Sequence, residues 1–356
     1  MFFNLLSRLS YFLADFKLYL LLIFSSFAFC CLLIYKIYKS KFSPRKKKIY
    51  LSLAFTLFIL VLVFSSFEAY FRYVYDQSDG LGFLKVNSKW HQRHVVYNNY
   101  FFRDRNFETN KKEGIIRIGV LGDSIAFGGG IKNVQDRFSN ILEDQLKNSG
   151  YSTEVYNLGK LGYDTESEIG EYEKVKHLNF DIIIWQYFLN DIQPLEKSTG
   201  TPIISRNSQS PKIIRVISDQ SFFLDFLYWR LSQRYQKTFE ELKNADLAQY
   251  TNDQVFKNHQ QEIASFISSL KKDNKKVIVI IFPFVHLLPD YPASKIHEQM
   301  SQIFEENGVE VIDLLDYLKD KNAKDLIASK FDSHPNEAVH KIAAEKLFEK
   351  VQALLK

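Results

Sequence analysis

Near its N-terminus the chain carries two apolar runs with no polar stripe. Leu18–Tyr35 is uncharged between Lys17 and Lys36, and Ile49–Phe67 is uncharged up to Glu68. Helices of a soluble core normally keep one polar face, and about 20 apolar residues are enough to cross a bilayer. The pattern therefore predicts a two-helix transmembrane hairpin, with spans at about 18–35 and 49–67. A cleaved signal peptide suits the first run less well, because no small-x-small site follows it and a second span does.

After Gly114 the pattern becomes one of short apolar runs: IIRIGVLG, TEVYNLG, FDIIIWQYFLND, KKVIVIIFPF and VEVIDLL. Between them lie stretches of helical period, one through Leu142 and Leu146, one near Glu166 to His177 and one around Ala293 to Glu306. The last, NEAVHKIAAEKLFEKVQALL, spaces Val339, Ile342, Ala343, Leu347, Val351 and Leu354 as one helix face, with Pro335 placed to start it. Apolar strands alternating with helices predict an α/β fold: a flavodoxin-like doubly wound parallel sheet of about five strands, covered on both faces.

Three segments follow from this reading. Residues 1–67 form a membrane anchor, 68–113 a stalk or small subdomain with Asp79-Gly80 and Asn98-Asn99 turn signals, and 114–356 the α/β domain. An insertion at about 192–258 separates the third and fourth strands. Its SFFLDFLYWRLSQRY stretch is aromatic and helical, and reads as a packed helix in preference to a substrate lid or a membrane-facing surface.

Charge sharpens the membrane reading. The formal net charge of the 356 residues is +5, and KIYKSKFSPRKKK between the spans contributes +7, which leaves −2 for the rest. No basic footprint for nucleic acid remains. Short basic loops stay on the cytoplasmic side, so both chain ends are expected outside the cytoplasm, with Tyr70, Phe71, Tyr73 and Tyr75 at the height of an interfacial aromatic belt. Cys30 and Cys31 are adjacent within the first span, which suits apolar packing and rules out a disulfide framework.

Doubly wound sheets bind ligands at the carboxyl ends of their strands. The residues placed there are Asp123-Ser124, Asn157 to Gly159, Asn190-Asp191 and, in the loop before the last helix, Asp332-Ser333-His334. A hydroxyl, a glycine, an amide and an imidazole are the parts needed for acyl transfer. The glycines of GVLGDSIAFGGGI do not make a phosphate cradle, since Lys132 is followed by Asn133 rather than Ser or Thr and the dinucleotide spacing is absent. Ser124 also lies outside a G-x-S-x-G elbow.

Four blocks in order resemble those of the SGNH (GDSL) hydrolase family, over roughly two thirds of the chain from Gly114 on. GDS at Gly122 to Ser124 is similar to the block that carries the family's nucleophile. YNLGKLGYDT resembles the second block, and the resemblance puts Gly159 in the place of the glycine whose N–H serves the oxyanion hole. YFLND resembles G-x-N-D, with Asn190 as the oxyanion-binding amide, and FDSHPN resembles the block whose Asp332 and His334 complete a triad. NNYFFRD, Asn98 to Asp104, resembles the N-x-x-G-F-R-D motif of some membrane-anchored bacterial members. Two departures stand out. Phe188 replaces the glycine of G-x-N-D, and Asp332 precedes His334 by two residues where three is usual, which leaves a backbone carbonyl as an alternative partner for the imidazole.

The resemblance implies hydrolysis of a carboxylic ester, often deacetylation; with the anchor and the basic loop, the expectation is a membrane-tethered serine esterase, its catalytic domain extracytoplasmic, that cleaves an acyl or acetyl ester of a cell-envelope glycan or lipid. The partners expected are the lipid bilayer and that acylated substrate, with no nucleic acid. An O-acyltransferase using the same triad, or a non-catalytic glycan-binding or assembly protein on the same fold, are the alternatives. His91, His94, His177, His259, His286, His297 and His340 show no metal-ligand spacing, and no metal or cofactor is expected.

Overall fold

The computed structural model describes residues 2–192 and 210–356, with side chains from residue 15 onward. The part of the predicted insertion at 193–209 lies outside the described residues. The chain divides into two compact units, Met1–Asp76 with Lys212–Leu231, and Gln77–Pro211 with Ser232–Lys356.

In the first unit, helices Phe2–Lys39 and Pro44–Ala69 form a hairpin. Tyr19 Oη donates to the Ser65 carbonyl (2.5 Å) and the Phe27 and Phe58 rings meet at 5.3 Å, which fixes an antiparallel register. Cys30 and Ala54 are buried at that same register, as expected where small residues let two helices approach. Two stretches, Asp15–Lys39 and Pro44–Val74, are long and apolar enough to cross a membrane, and only 11% and 6% of their most apolar windows is buried, unlike the core helix of a soluble protein. Most of the basic residues expected in a loop sit instead in the last turn of one helix and the first turn of the next, Lys36 and Lys39 before the link, Arg45 to Lys48 after it.

The second unit is built on a five-stranded sheet. β1 (Ile116–Leu121), β2 (Thr153–Asn157), β3 (Ile182–Phe188), β4 (Lys276–Phe282) and β5 (Glu310–Asp313) pair in the order β2-β1-β3-β4-β5, all parallel. This is the flavodoxin-like order, with its switch point between β1 and β3. The near-continuous apolar strands are explained by burial on both faces. Ile182, Ile184, Ile278, Ile280 and Phe282 join one core with Leu142 and Leu347, whereas Ile183, Trp185, Tyr187, Val279 and Ile281 join the other with Phe266 and Phe304. Helices Phe138–Asn148 and Glu337–Leu355 cover the first face; Thr165–Val175, Asp253–Lys272 and Ser294–Glu306 cover the second.

Two differences from the sequence reading matter for the site. The 68–113 segment is not a separate subdomain: from Gln77 on it belongs to the sheet unit, because Phe102 and Phe107 enter the sheet's core and Arg103 is buried against the glycine run. Arg103 donates to the carbonyls of Gly128 (2.7 Å) and Ile131 (2.6 Å), and its guanidinium stacks over Trp90 and Phe127. That is the work of the NNYFFRD stretch. Asn98 Oδ1 accepts the N–H groups of Tyr100 and Phe102, and Phe101, where the motif has glycine, takes φ 62°. The second difference is that the loop before the last helix contains a short antiparallel ribbon, β6 (Ile327–Ser329) against β7 (Asp332–Pro335).

Candidate active site

β1 ends at Leu121, and the chain turns through Gly122-Asp123 into a one-turn helix that Ser124 begins. The turn is shaped by side chains that consume its backbone donors. Asp123 Oδ1 accepts the Ile125 N–H (2.8 Å), and Gln186 Oε1, from the end of β3, accepts those of Asp123 (3.1 Å) and Ala126 (3.0 Å). The Ser124 N–H is left with no protein acceptor among the described residues.

Ser124, His334 and Asp332 come together as one hydrogen-bonded chain. Ser124 Oγ lies 2.8 Å from His334 Nε2, and His334 Nδ1 lies 2.5 Å from Asp332 Oδ1. The two-residue spacing works because β7 is a strand: residues i and i+2 project from the same face, so Asp332 and His334 meet without the extra residue of a turn. Asp332 Oδ1 also accepts the His334 backbone N–H (3.1 Å), and Oδ2 accepts the hydroxyl of Ser78. The partner of the imidazole is thus the carboxylate and not a backbone carbonyl. Burial by itself would lift the Asp332 carboxyl, but the imidazole beside it and the hydrogen bonds from His334 and Ser78 hold it below the usual range. Burial by itself would lower His334; the Asp332 charge and hydrogen bond outweigh it and raise the imidazole above 6.5.

The glycine run forms the floor under this pair. A Cβ on Gly129 would stand 3.0 Å from ring atoms of His334, and one on Gly130 would stand 2.4 Å from the Ala328 Cβ in β6 and 3.3 Å from Asp332 Oδ2. Gly128 closes the Ser124 helix at φ 81°.

Asn190 lines the cleft beside Ser124, with its amide against the Asp123 carboxylate and its Oδ1 without a partner among the described residues. Asp191 Oδ2 accepts the Phe188 N–H (2.7 Å) and so closes the turn that presents Asn190. Below it, Glu168 accepts from Trp185 Nε1 (2.7 Å); burial and the proximity of Asp123, Asp191 and Glu168 to one another push the Asp191 and Glu168 carboxyls well above their usual range. Phe188, where the resemblance expects glycine, forms a wall of the cleft with Phe284, ring centroids 4.5 Å apart.

Gly159 does not take the place expected of it. Its N–H is donated to Asn157 Oδ1 (2.9 Å), it is buried, and a Cβ there would stand 2.3 Å from the Phe127 nitrogen. Its work is close packing of the β2 loop on the Ser124 helix. Gly162 lines the cleft instead, at φ 70°, with open space where a Cβ would be and an N–H that no protein group accepts among the described residues.

These residues open on a cavity of about 600 Å³, within the range of small-molecule sites. Part of its wall was not legible in the sequence. Ser78, Asp79 and His91 come from the segment before β1, and Phe239, Lys243 and Asp246 from helix Arg234–Gln249 within the predicted insertion. Asp79 accepts the N–H groups of Leu81, Phe83 and Leu84, and burial pushes its carboxyl up to about 7. Tyr235 donates its hydroxyl to the Phe331 carbonyl next to Asp332.

The family model described as GDSL-like Lipase/Acylhydrolase matches residues 120–342. No curated protein matches the chain. Among solved structures, TesA is similar at 14% identity, covering 67% of this chain and 99% of its own, with a TM-score of 0.42. A catalytic mutant of Axe2, an acetylxylan esterase from Geobacillus stearothermophilus, is similar at 15% identity over 66% of this chain and 94% of its own, TM-score 0.42. A member of the lipolytic protein G-D-S-L family from Veillonella parvula is similar at 16%, over 66% and 97%, TM-score 0.38.

The two glycines make a discriminating pair. Gly162→Ala places a Cβ in open space at φ 70° and is expected to cost about 1–2 kcal/mol. Gly159→Ala drives a Cβ into backbone atoms of the Ser124 helix and is expected to lower the thermal midpoint further. Thermal unfolding of both variants checks this; equal midpoints would contradict the packing role of Gly159.

Proposed function

Because the chain belongs to the GDSL-like lipase/acylhydrolase family and is an ester-hydrolysing enzyme, we propose that it is a membrane-tethered serine esterase with Ser124 as nucleophile, His334 as base and Asp332 as the acid that orients it. The observation that carries the reading is the continuous hydrogen-bonded path from Ser124 Oγ through the imidazole to a buried carboxylate, opening on a cavity. A serine hydroxyl attacks an ester only as a base takes its proton. Ser124 Oγ bonds to the acyl carbon while its proton passes to His334 Nε2, and the imidazolium is stabilised by Asp332. The oxyanion is received by the N–H groups of Ser124 and Gly162 and by the amide of Asn190. As the tetrahedral species collapses, His334 returns the proton to the departing alkoxide. Water, deprotonated by the same imidazole, then releases the acid and restores Ser124.

The substrate proposed is a small acyl ester on a cell-envelope glycan or lipid. Two apolar helices suited to crossing a membrane, joined by a basic link, support tethering with the catalytic unit outside the cytoplasm.

A fluorophosphonate probe is expected to label the wild type and not Ser124→Ala; equal labelling of both would remove Ser124 as nucleophile. Asn190→Ala is expected to lose about a hundred- to a thousandfold in kcat, the usual cost of one oxyanion donor. Acetylated envelope glycan should decrease when the enzyme is present; an increase would identify a transferase, and glycan binding without cleavage of any short-chain p-nitrophenyl ester would identify a binding protein.

The pH profile follows from the imidazole. His334 accepts a proton only when neutral, and the Asp332 charge raises its pKa above that of an ordinary imidazole, so kcat/KM should fall as pH drops, with a midpoint on the alkaline side of an ordinary imidazole. Asp332→Asn removes the charge that raises it. The acid limb should then move to lower pH, with activity reduced on the order of 10⁴-fold. An acid limb unmoved by this substitution would show that another group orients His334.

A further inference from the structure

The first unit holds a feature that catalysis does not use. Helix Phe222–Leu231, encoded within the insertion, packs on the end of the second apolar helix, and helix Lys212–Ser218 packs on Phe222–Leu231 in turn. The junction is built from a buried carboxylate: Glu68 accepts the N–H groups of Phe222 (3.1 Å) and Phe223 (2.9 Å) and the hydroxyl of Ser221 (2.6 Å). Arg72 pairs with Glu68 (2.8 Å) and Asp15 (2.5 Å), donates to the Gln220 carbonyl (3.2 Å) and stacks over Phe222. Phe223 stacks on Phe67 at 4.9 Å, and Phe226 meets Phe71 at 4.3 Å.

This junction has a defined height. Asp15, Glu68 and Arg72 form the polar cluster at the open end of the hairpin, and the basic link lies at the other end. Between them run the uncharged stretches 18–35 and 49–67, roughly 27 Å of helix at 1.5 Å per residue, close to the hydrocarbon thickness of a bilayer. Helices attached at Glu68 therefore stand where hydrocarbon gives way to headgroups.

Their free surface suits that place. Ile213, Val216 and Ile217, spaced i, i+3, i+4 on one helix face, are 72%, 62% and 49% exposed, and Leu231 is also exposed. Lys212 stands at one edge of the stripe. An exposed apolar stripe with a lysine at its edge, at the end of an apolar span, fits a helix lying in the membrane interface.

We propose that Lys212–Leu231 forms an interfacial collar in the leaflet on the catalytic side, with Ile213, Val216 and Ile217 in the acyl-chain boundary. The inference rests on the reading of the hairpin as a tether. The chain passes between the sheet unit and the membrane unit after Asp76, before Lys212 and after Leu231, so the collar would add a second and third covalent attachment at the lipid surface. An enzyme held this way is suited to esters presented on membrane-associated molecules.

The test uses full-length protein in Cys30→Ala, Cys31→Ala background, reconstituted in phosphatidylcholine/phosphatidylglycerol vesicles, with single nitroxides at Ile213→Cys, Val216→Cys, Ile217→Cys, Asp219→Cys, Leu21→Cys and Ile59→Cys. Retained ester hydrolysis is the control for folding of each. Power saturation should show labels at 213, 216 and 217 relaxed more by oxygen than by a water-soluble nickel chelate, and the reverse at 219. If the first three are as accessible to nickel as 219 while 21 and 59 report hydrocarbon, the collar is overturned and the tether stands. If 21 and 59 are also in water, the tether fails and the collar with it.

Discussion

The arrangement of the site depends on one buried contact, the hydrogen bond between the Asp332 carboxylate and the His334 imidazole. A carboxylate removed from water is stable only when its lone pairs are engaged. Asp332 engages them with the His334 ring, the His334 backbone N–H and the Ser78 hydroxyl. The neighbours of the pair are placed accordingly. Gly129 has no Cβ because the ring occupies that space and Gly130 has none because the Ala328 Cβ of β6 does, Arg103 holds the glycine run by its carbonyls, and Tyr235 fixes the carbonyl of Phe331. Gly129 is thus a steric requirement of the imidazole, and Gly130 of the β6–β7 ribbon.

Electrostatics on the far side of Ser124 follow a different rule. Asp123, Glu168 and Asp191 are buried together; burial pushes all three carboxyls up, and repulsion pushes those of Glu168 and Asp191 further. Their hydrogen bonds order the backbone: Asp123 the start of the Ser124 helix, Asp191 the turn of Asn190. One side of Ser124 is therefore organised around the Asp332–His334 pair, and the other around buried acids that hold the backbone turns.

The five strands were legible because burial on both faces leaves apolar runs that few other structures produce; Ser124 and Asn190 were legible because such sheets present chemistry at strand ends, and Asp332 and His334 through the FDSHPN block before the last helix. The glycine assigned to the proposed oxyanion hole was not. Gly159 and Gly162 stand three residues apart in NLGKLG, and choosing between them requires knowing that the Asn157 side chain takes the Gly159 N–H. Asn two residues before a glycine is a turn signal that could have raised the question. Ser78 and Tyr235 carried no signal, since they reach the Asp332 region across 254 and 96 residues of chain. The β6–β7 ribbon was too short and too polar to show a period, and with it the reason for the Asp332-Ser333-His334 spacing was hidden.

The account stands or falls on whether Asp332 holds the Nδ1 proton of His334. Proton NMR of the protein in detergent, observed downfield of the amide envelope, reads this directly. The structure predicts a strongly deshielded resonance in the wild type that disappears in both His334→Gln and Asp332→Asn. A resonance that depends on His334 but persists in Asp332→Asn, or the absence of any His334-dependent resonance, would contradict it.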